Sequence, residues 1–550
     1  MESTSFPVRS CNIEMNDDDV DQVLVKTNNA EDVSVEDSAT TMSISSADDD
    51  SRNSEELSIS LVKLEKKQLD NNDCNYNDCN YTKNAAQEKE IIKGDIKTDP
   101  NFVYGDDDPT FIFCTPSEWL SFFVGATILL IIGPAVGSVV LGSLIWEAFD
   151  RGFAGGFINC GRELTGFVFT SFLPWLNKVT YKFNLRFVKH ESDTFMMNCI
   201  FGHGVLVPAM FMGCAWHCYH YGFDARLAFA YHLLRIGPHQ MNFAYVYTLC
   251  HKEGHNFSGL YKKPYNDSVL LRNVFNWWIG LFYGVVPATF AYGHSINHHK
   301  YDNEMRDVTT TSDKPRDSFI NWVAYVTRYF LYAINITTIS QFISEGRRDI
   351  AWKTFNGTLY FLMWNIMWAF VVSPSFALLY VSFPFWEATI LLAAINWSWH
   401  AFIEPEDLGN DYVQSLTILD GRVNVLNEDA HVIHHCHPAA HWTTHPDLVS
   451  KRWNGYVSNA ASVFRGTHAF EIFGMSVARD YDALAEKFVD LKGERDGNLM
   501  THDETVKMIK RRLRGVWWGP RLESQTRYFE GKHPCSTCHH DVNGDVKKEL

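Results

Sequence analysis

Three groups of histidine limit the chemistry open to this chain: His251-Lys-Glu-Gly-His255, His294-Ser-Ile-Asn-His298-His299 and His431-Val-Ile-His434-His435. On a helix, residues i and i+4 share a face one turn apart, so His251 with His255, His294 with His298, and His431 with His435 are each expected to offer two imidazoles to one ion. Eight such ligands suit two metal ions. One HxxxH alone is more often packing or chance; three in one chain are not. Imidazole suits zinc, copper, iron and nickel, whereas soluble di-iron bundles lean on Glu and Glu-x-x-His ligands. Nearly neutral ligands set among long uncharged stretches point to metal-dependent oxidation at a membrane surface. A zinc protease would need Glu directly after the first His of H-E-x-x-H; Lys252 stands there, with Glu253 one place later. All 23 histidines follow residue 189.

The elements that position these boxes are expected to be membrane helices. Crossing the hydrocarbon takes about 20 mostly apolar residues. Trp119–Trp146 contains no Asp, Glu, Lys or Arg, and neither do Thr194–Phe223, Phe355–Trp386 and Ala388–Ile403, the last two separated by Glu387 and able to form a hairpin turning near Ser373-Pro374-Ser375. Leu227–Leu249, interrupted by Arg235, and Asn273–His299 are ambiguous. The expected fold is therefore all-α, an integral membrane protein of about four and up to six transmembrane helices under a cytosolic helical cap that carries the boxes. One metal centre needs all three boxes on one side, and the 355–403 hairpin supplies two crossings between the second box and the third. Residues 300–353 are rich in Lys and Arg, as expected of a cytosolic loop.

The net charge of -17 is unevenly spread: residues 1–108 hold 26 Asp and Glu against 10 Lys and Arg. That segment has neither Trp nor His and is expected to be a disordered acidic tail, since it lacks the apolar surface to offset chain entropy. It is too acidic for a transit peptide, and no apolar signal core follows Met1. Residues 109–450 are expected to form the catalytic membrane domain and 451–550 a cytosolic C-terminal region. The 12 cysteines lack a short-spaced disulfide framework, in keeping with a reducing compartment. Lys547 and Lys548, fourth and third from the end, resemble a dilysine retrieval signal and place the protein in the endoplasmic reticulum membrane, multi-pass, with both termini cytosolic. Cys535-Ser-Thr-Cys538-His539 matches a haem-attachment pattern, but covalent haem belongs to other compartments; an unstructured tail is the default and a small zinc site the alternative.

Over roughly residues 115–450 the chain resembles the membrane fatty acid desaturase and hydroxylase superfamily. HxxxH, HxxxHH and HxxHH occur in the family's order, with an apolar hairpin between the second and third. His298-His299-Lys300-Tyr301-Asp302-Asn303 and His435-Cys-His-Pro-Ala-Ala-His-Trp also fit, and Asn396-Trp-Ser-Trp-His400 ends the last apolar run where stearoyl-type desaturases supply an additional His. The resemblance implies nine ligands, His251, His255, His294, His298, His299, His400, His431, His434 and His435, two iron ions, O₂, two electrons from outside, and an acyl chain held beside the metals. No catalytic residue is implied beyond the metal centre. Glu253, Asp302, Asn396, Glu404 and Asp429 are candidates to orient ligands.

The implied activity is an oxidoreductase that introduces a double bond into a fatty acyl chain. Box two has a spacing shared with alkane hydroxylases, so a hydroxylase or ketolase acting on a fatty, alkane, sterol or carotenoid substrate stays open, as does a non-catalytic metal-binding membrane protein. His431 in place of Gln argues against the front-end desaturase subgroup. The His-Pro-Gly-Gly signature of a fused cytochrome b5 domain is absent, so the electrons are expected from a separate donor such as cytochrome b5 or ferredoxin. The expected partners are lipid and membrane, not nucleic acid.

Overall fold

The computed structural model describes residues 116–152, 174–255, 259–421 and 423–517. The acidic segment 1–108, the Cys535/Cys538/His539 motif and the lysines Lys547 and Lys548 lie outside the described residues. What is described is mostly helical, as expected, with one parallel pair of two-residue strands, β1 (Thr417–Ile418) beside β2 (Val463–Phe464).

Three helices are long and apolar enough to cross a membrane: Pro116–Ala148 within α1 (Pro116–Gly152), then, after the short α2 (Pro174–Asn184), α3 (Glu191–Tyr221), and further along α10 (Pro374–Trp399). Their outward faces are apolar; Leu130 and Ile131 of α1 are 78% and 69% exposed. Helices satisfy every backbone group internally, so hydrocarbon is the solvent such faces suit. Neither of the two ambiguous runs forms one long helix. Leu227–Leu249 breaks into α4 (Ala225–Ile236) and α5 (Met241–His255), because Gly237, His239 and Gln240 all take positive φ between them. Asn273–His299 is cut into short turns before α6 (Thr289–His298).

Two helices meet at the turn expected of the hairpin. Helix α7 (Phe319–Ala333) and helix α8 (Ile336–Ser344) lead into α9 (Arg348–Val371), and the Ser373 hydroxyl accepts from the Phe376 amide to start α10, so the turn falls at Ser373-Pro374. Phe355–Trp386 is thus split between two helices, and Glu387 lies inside α10 rather than between spans. Three features fasten the bundle. A Cβ at Gly125 of α1 would stand 2.0 Å from the Val323 carbonyl oxygen of α7, so only glycine permits that approach. Arg235 of α4 pairs with Glu387 of α10, both fully buried. Around Phe211 of α3 the rings of Trp368 and Phe376 stand 4.9 and 5.1 Å away, joining α3 to α9 and α10.

The chain after the hairpin forms the layer that completes the site: α11 (His431–Cys436), then α12 (Ala469–Ala478) and α13 (His502–Arg514). Buried Arg316 anchors it, donating to the carbonyls of Ala401 at 2.9 Å and Arg512 at 2.8 Å, while Arg514 pairs with Asp317 at 2.7 Å.

Candidate metal centre

The three boxes come from three helices that converge beside the end of a fourth. In α5, His251 and His255 lie one turn apart and face α6. That approach needs Gly254, where a Cβ would stand 2.7 Å from the Phe290 Cβ and 2.9 Å from its carbonyl carbon. Box two departs from the expected pairing. Helix α6 is wound as a π-helix, whose repeat brings i and i+5 rather than i and i+4 into register. His294 is therefore grouped with His299, and His298 is turned to another side. Box three, on the short α11, splits in the same way, His434 going to one group and His435 to the other.

Two groups result. Ligand atoms of His251, His255, His294, His299 and His434 all lie within 4.8 Å of one another, as do those of His298, His400 and His435. His431 adjoins the second group, its Nε2 3.3 Å from that of His400 and 3.2 Å from that of His435. In the first group, Nε2 of His251 stands 2.7 Å from that of His294 and 3.0 Å from that of His255, and Nε2 of His299 stands 3.0 Å from both His294 and His434. Ligands about 2.1 Å from one ion and at right angles to each other stand roughly 3.0 Å apart, so these spacings suit nitrogens sharing a cation. All nine expected histidines are in these groups or adjoin them.

The opposite ring nitrogens of five of the nine histidines are held from behind. Nδ1 of His251 lies 3.3 Å from Glu428, itself 2.5 Å from Lys252. Nδ1 of His298 meets Asp307 at 2.7 Å and the Thr309 hydroxyl at 3.1 Å. Nδ1 of His435 meets Asp302 at 3.1 Å, that of His255 the Ser295 hydroxyl at 3.1 Å, and that of His400 the Gln414 carbonyl at 3.1 Å. An N–H donated backward fixes the tautomer and leaves the Nε2 lone pair pointing inward. Burial holds His255, His294, His299, His400, His431 and His434 well below the ordinary imidazole value, so they are neutral, the form that ligates. Burial lowers His298 too, but Asp307 outweighs it and sets that ring above its ordinary value.

The candidate orienting residues separate. Asp302 reaches an imidazole, from a backbone with φ of 40° that ends the box-two helix and that Asp tolerates better than most residues. Glu253 faces away: it accepts from the amides of Phe275 and Asn276 at 3.1 and 2.7 Å, fastening α5 to the chain beneath it. Asn396 donates to the Thr309 carbonyl and the Tyr325 hydroxyl, one residue removed from His298. Glu404 pairs with Arg511 and Arg512. Asp429 is pushed up to about 7 by burial and the adjacent Glu428. Asp307, Glu428, Ser295, Thr309 and Gln414 were not singled out. Glu428 stands beside Asp429 in sequence, and Asp307 is nine residues past His298 among threonines, so only the fold distinguishes them.

A cavity adjoins the first group. It is a small, half-open pocket of about 30 Å³ between α5, α6, α7 and α10, lined by Tyr247, Val285, Phe290, Tyr329, Tyr332 and Leu392, among others. The Phe290 ring lies 5.6 Å from that of His251. Compared with known protein families, residues 225–464 match the family described as fatty acid desaturase. No curated protein and no solved structure gives a match. The matched segment runs from the start of α4 to β2 and contains all three boxes and His400. Over residues 225–464 the chain is thus similar to the fatty acid desaturase family, which is known for di-iron centres, and this supports a place in the membrane fatty acid desaturase and hydroxylase superfamily.

Proposed function

We propose that the protein is a membrane di-iron oxidoreductase that introduces a double bond into a fatty acyl chain. The observation that carries this reading is the pair of imidazole groups, with Nε2 atoms facing one another at ligand spacing and five of the nine rings held from behind at Nδ1. Five imidazoles, His251, His255, His294, His299 and His434, would hold one iron, and His298, His400, His431 and His435 the other. Bound there, the irons supply the activation of O₂ toward an unactivated C–H bond. Overall, the acyl chain loses two hydrogens, and O₂ with two electrons and two protons from outside leaves as two waters.

The chain's own residues supply position and dryness. Tyr247 lies one turn before His251 on α5, and Phe290 one turn before His294 on α6, so the cavity wall and the ligands share the same two helices. An acyl chain that widened that pocket, which as it stands has room for little more than one water, would lie against the first imidazole group. Tyr247 is itself fixed by donating to the Tyr283 carbonyl at 2.8 Å. A displacement of about 1 Å at a reacting carbon costs on the order of a hundredfold in rate, which is why rigid helices suit this task better than loops.

The same reading includes α9 as a fourth span. It has 24 residues, and Leu359, Met363, Ile366 and Phe370 are exposed along it. Spans α1, α3, α9 and α10 would return both termini to one side, taken as the cytosol. There Lys547 and Lys548 would hold the protein in the endoplasmic reticulum, and a separate cytochrome b5 or ferredoxin would supply electrons. Residues 1–108 would be a dispensable tail, 109–450 the catalytic domain and 451–550 its cytosolic extension.

Expression in cells followed by lipid profiling tests the reaction. New acyl products two hydrogens lighter than their precursors are expected. Products heavier by one oxygen would make the enzyme a hydroxylase, and an unchanged profile with an active donor present would remove the enzymatic reading.

A further inference from the structure

A second surface, away from the histidines, has the chemistry of a membrane contact. Helix α2 runs toward α3, and its exposed residues form two adjacent rows. Lys178 and Lys182 are one turn apart on the first; Val179 and Phe183, 73% and 57% exposed, are one turn apart on the second. Beside this stretch lies a second one, the segment that follows α5. The two are joined by the Val188–Tyr261 bridge, by the Lys262 ammonium donating to the Leu185 carbonyl at 2.9 Å, and by the rings of Phe187 and Tyr265 at 4.6 Å. The second stretch repeats the pattern, with Lys262, Lys263 and Arg272 exposed around Val269 and Leu270, which are 66% and 83% exposed.

Six cations, Lys178, Lys182, Arg186, Lys262, Lys263 and Arg272, are thus exposed on the joined segments, and none has a carboxylate partner among the described residues. The acids nearby are Asp267, which is exposed, Glu191, which accepts from the Tyr181 hydroxyl, and two that face inward, Asp193 against His441 and Trp442 and Glu253 against Phe275 and Asn276. A row of lysines beside a row of apolar side chains is the pattern of a helix lying in the headgroup layer, apolar side down and cations among the phosphates. The surface adjoins α3, a membrane-crossing candidate, and follows the His255 end of α5. In a chain whose net charge is -17, such a local excess of cations is what lets this edge approach an anionic surface.

We propose that α2 and the segment 261–272 form a seat for anionic phospholipid headgroups of the membrane that the protein spans. The exposed apolar row favours lipid over a soluble acidic protein, because Leu270 and Val179 gain nothing from a polar partner and are removed from water by acyl chains. The proposal does not depend on the reaction assigned to the histidines.

Native mass spectrometry of the purified full chain, offered equal phosphatidylserine and phosphatidylcholine in detergent micelles, tests it. The wild type should retain phosphatidylserine by about fivefold or more, the effect expected for one lysine near an anionic surface. The variant Lys178→Gln/Lys182→Gln/Lys262→Gln/Lys263→Gln should bring the ratio toward one with helix content unchanged. If that variant fails to fold, the exposed pair Lys178→Gln/Lys182→Gln should still lower the ratio. Replacing Val179 and Leu270 by Ser should lower total lipid retained while the preference for phosphatidylserine survives. Equal phosphatidylserine retention by wild type and lysine variants overturns the proposal. So does a lysine variant that keeps the lipid preference but loses docking of an acidic redox protein, which would make this a protein-binding surface.

Discussion

Glu428 is the most instructive single side chain, because it links Lys252 and His251 in one buried contact. Burial alone would raise its carboxyl; Lys252 and His251 reverse that and hold it ionised below the usual carboxylate range. Partners of this kind are worth about 10- to 100-fold in metal affinity. Glu428→Gln and Asp307→Asn should therefore each weaken iron retention by about that factor against a chelator, with membrane insertion intact. Retention equal to wild type would reduce both to packing. Glu253 behaves oppositely. Burial pushes it up to about 8 despite three hydrogen bonds from Phe275 and Asn276. The folded state then holds a proton more tightly than the unfolded one, so the stability this proton confers is full below about 4.5 and is lost as pH rises toward 8. Thermal unfolding temperature should fall across that window, and Glu253→Gln should flatten the fall; an unchanged slope would show Glu253 ionised throughout. The eight imidazoles of the boxes were legible from spacing, and His400 only through the family resemblance. Their supports were not, apart from Asp302, because which carboxylate meets which ring depends on turns far from the boxes in sequence.

At the scale of the elements, the winding of α6 decides how the ligands divide. The α-helical rule pairs His294 with His298, whereas the π-helix pairs His294 with His299 and releases His298 to the second group. Nothing in HxxxHH announces this; a helix accepts the wider turn where its packing partners require it, here against α5. The close approach of those two helices makes Gly254→Ala a sharp probe. The added methyl would meet the backbone of Phe290, and overpacking of this kind costs about 1–3 kcal/mol. The variant should lose iron and unfold earlier, whereas Gly133→Ala, with nothing within 4 Å, should change neither. The hairpin was legible because Ser373-Pro374 interrupts an apolar run. The breaks at Gly237–Gln240 and after Asn273 were not, since composition there stays apolar while the backbone turns. Arg235, which interrupts an apolar run in the sequence, is half of a buried pair with Glu387. Breaking such a pair leaves one charge uncompensated at about 3–5 kcal/mol, so Glu387→Gln should be more damaging than the double change Arg235→Met/Glu387→Leu.

For the whole molecule, sequence composition separates an acidic segment from a nearly neutral remainder, and apolar length locates α1, α3 and α10. The number of crossings depends on α9, whose exposed Arg348, Asp349 and Lys353 lower its mean hydropathy although its exposed residues from Leu359 onward are apolar. Protease added to sealed microsomes should remove a tag fused after Leu550, because four crossings return the C-terminus to the cytosolic side; a protected tag would contradict that count. The measurement that bears most directly on the centre is metal analysis of purified wild type and His400→Ala after iron-replete expression. His400 belongs to the group that would hold the second iron, while the first group is formed without it. Two iron ions per chain are expected in the wild type and about one in His400→Ala, with helix content the same in both. Zinc in place of iron, or a single ion in the wild type unchanged by the substitution, would contradict a di-iron centre built on these nine histidines.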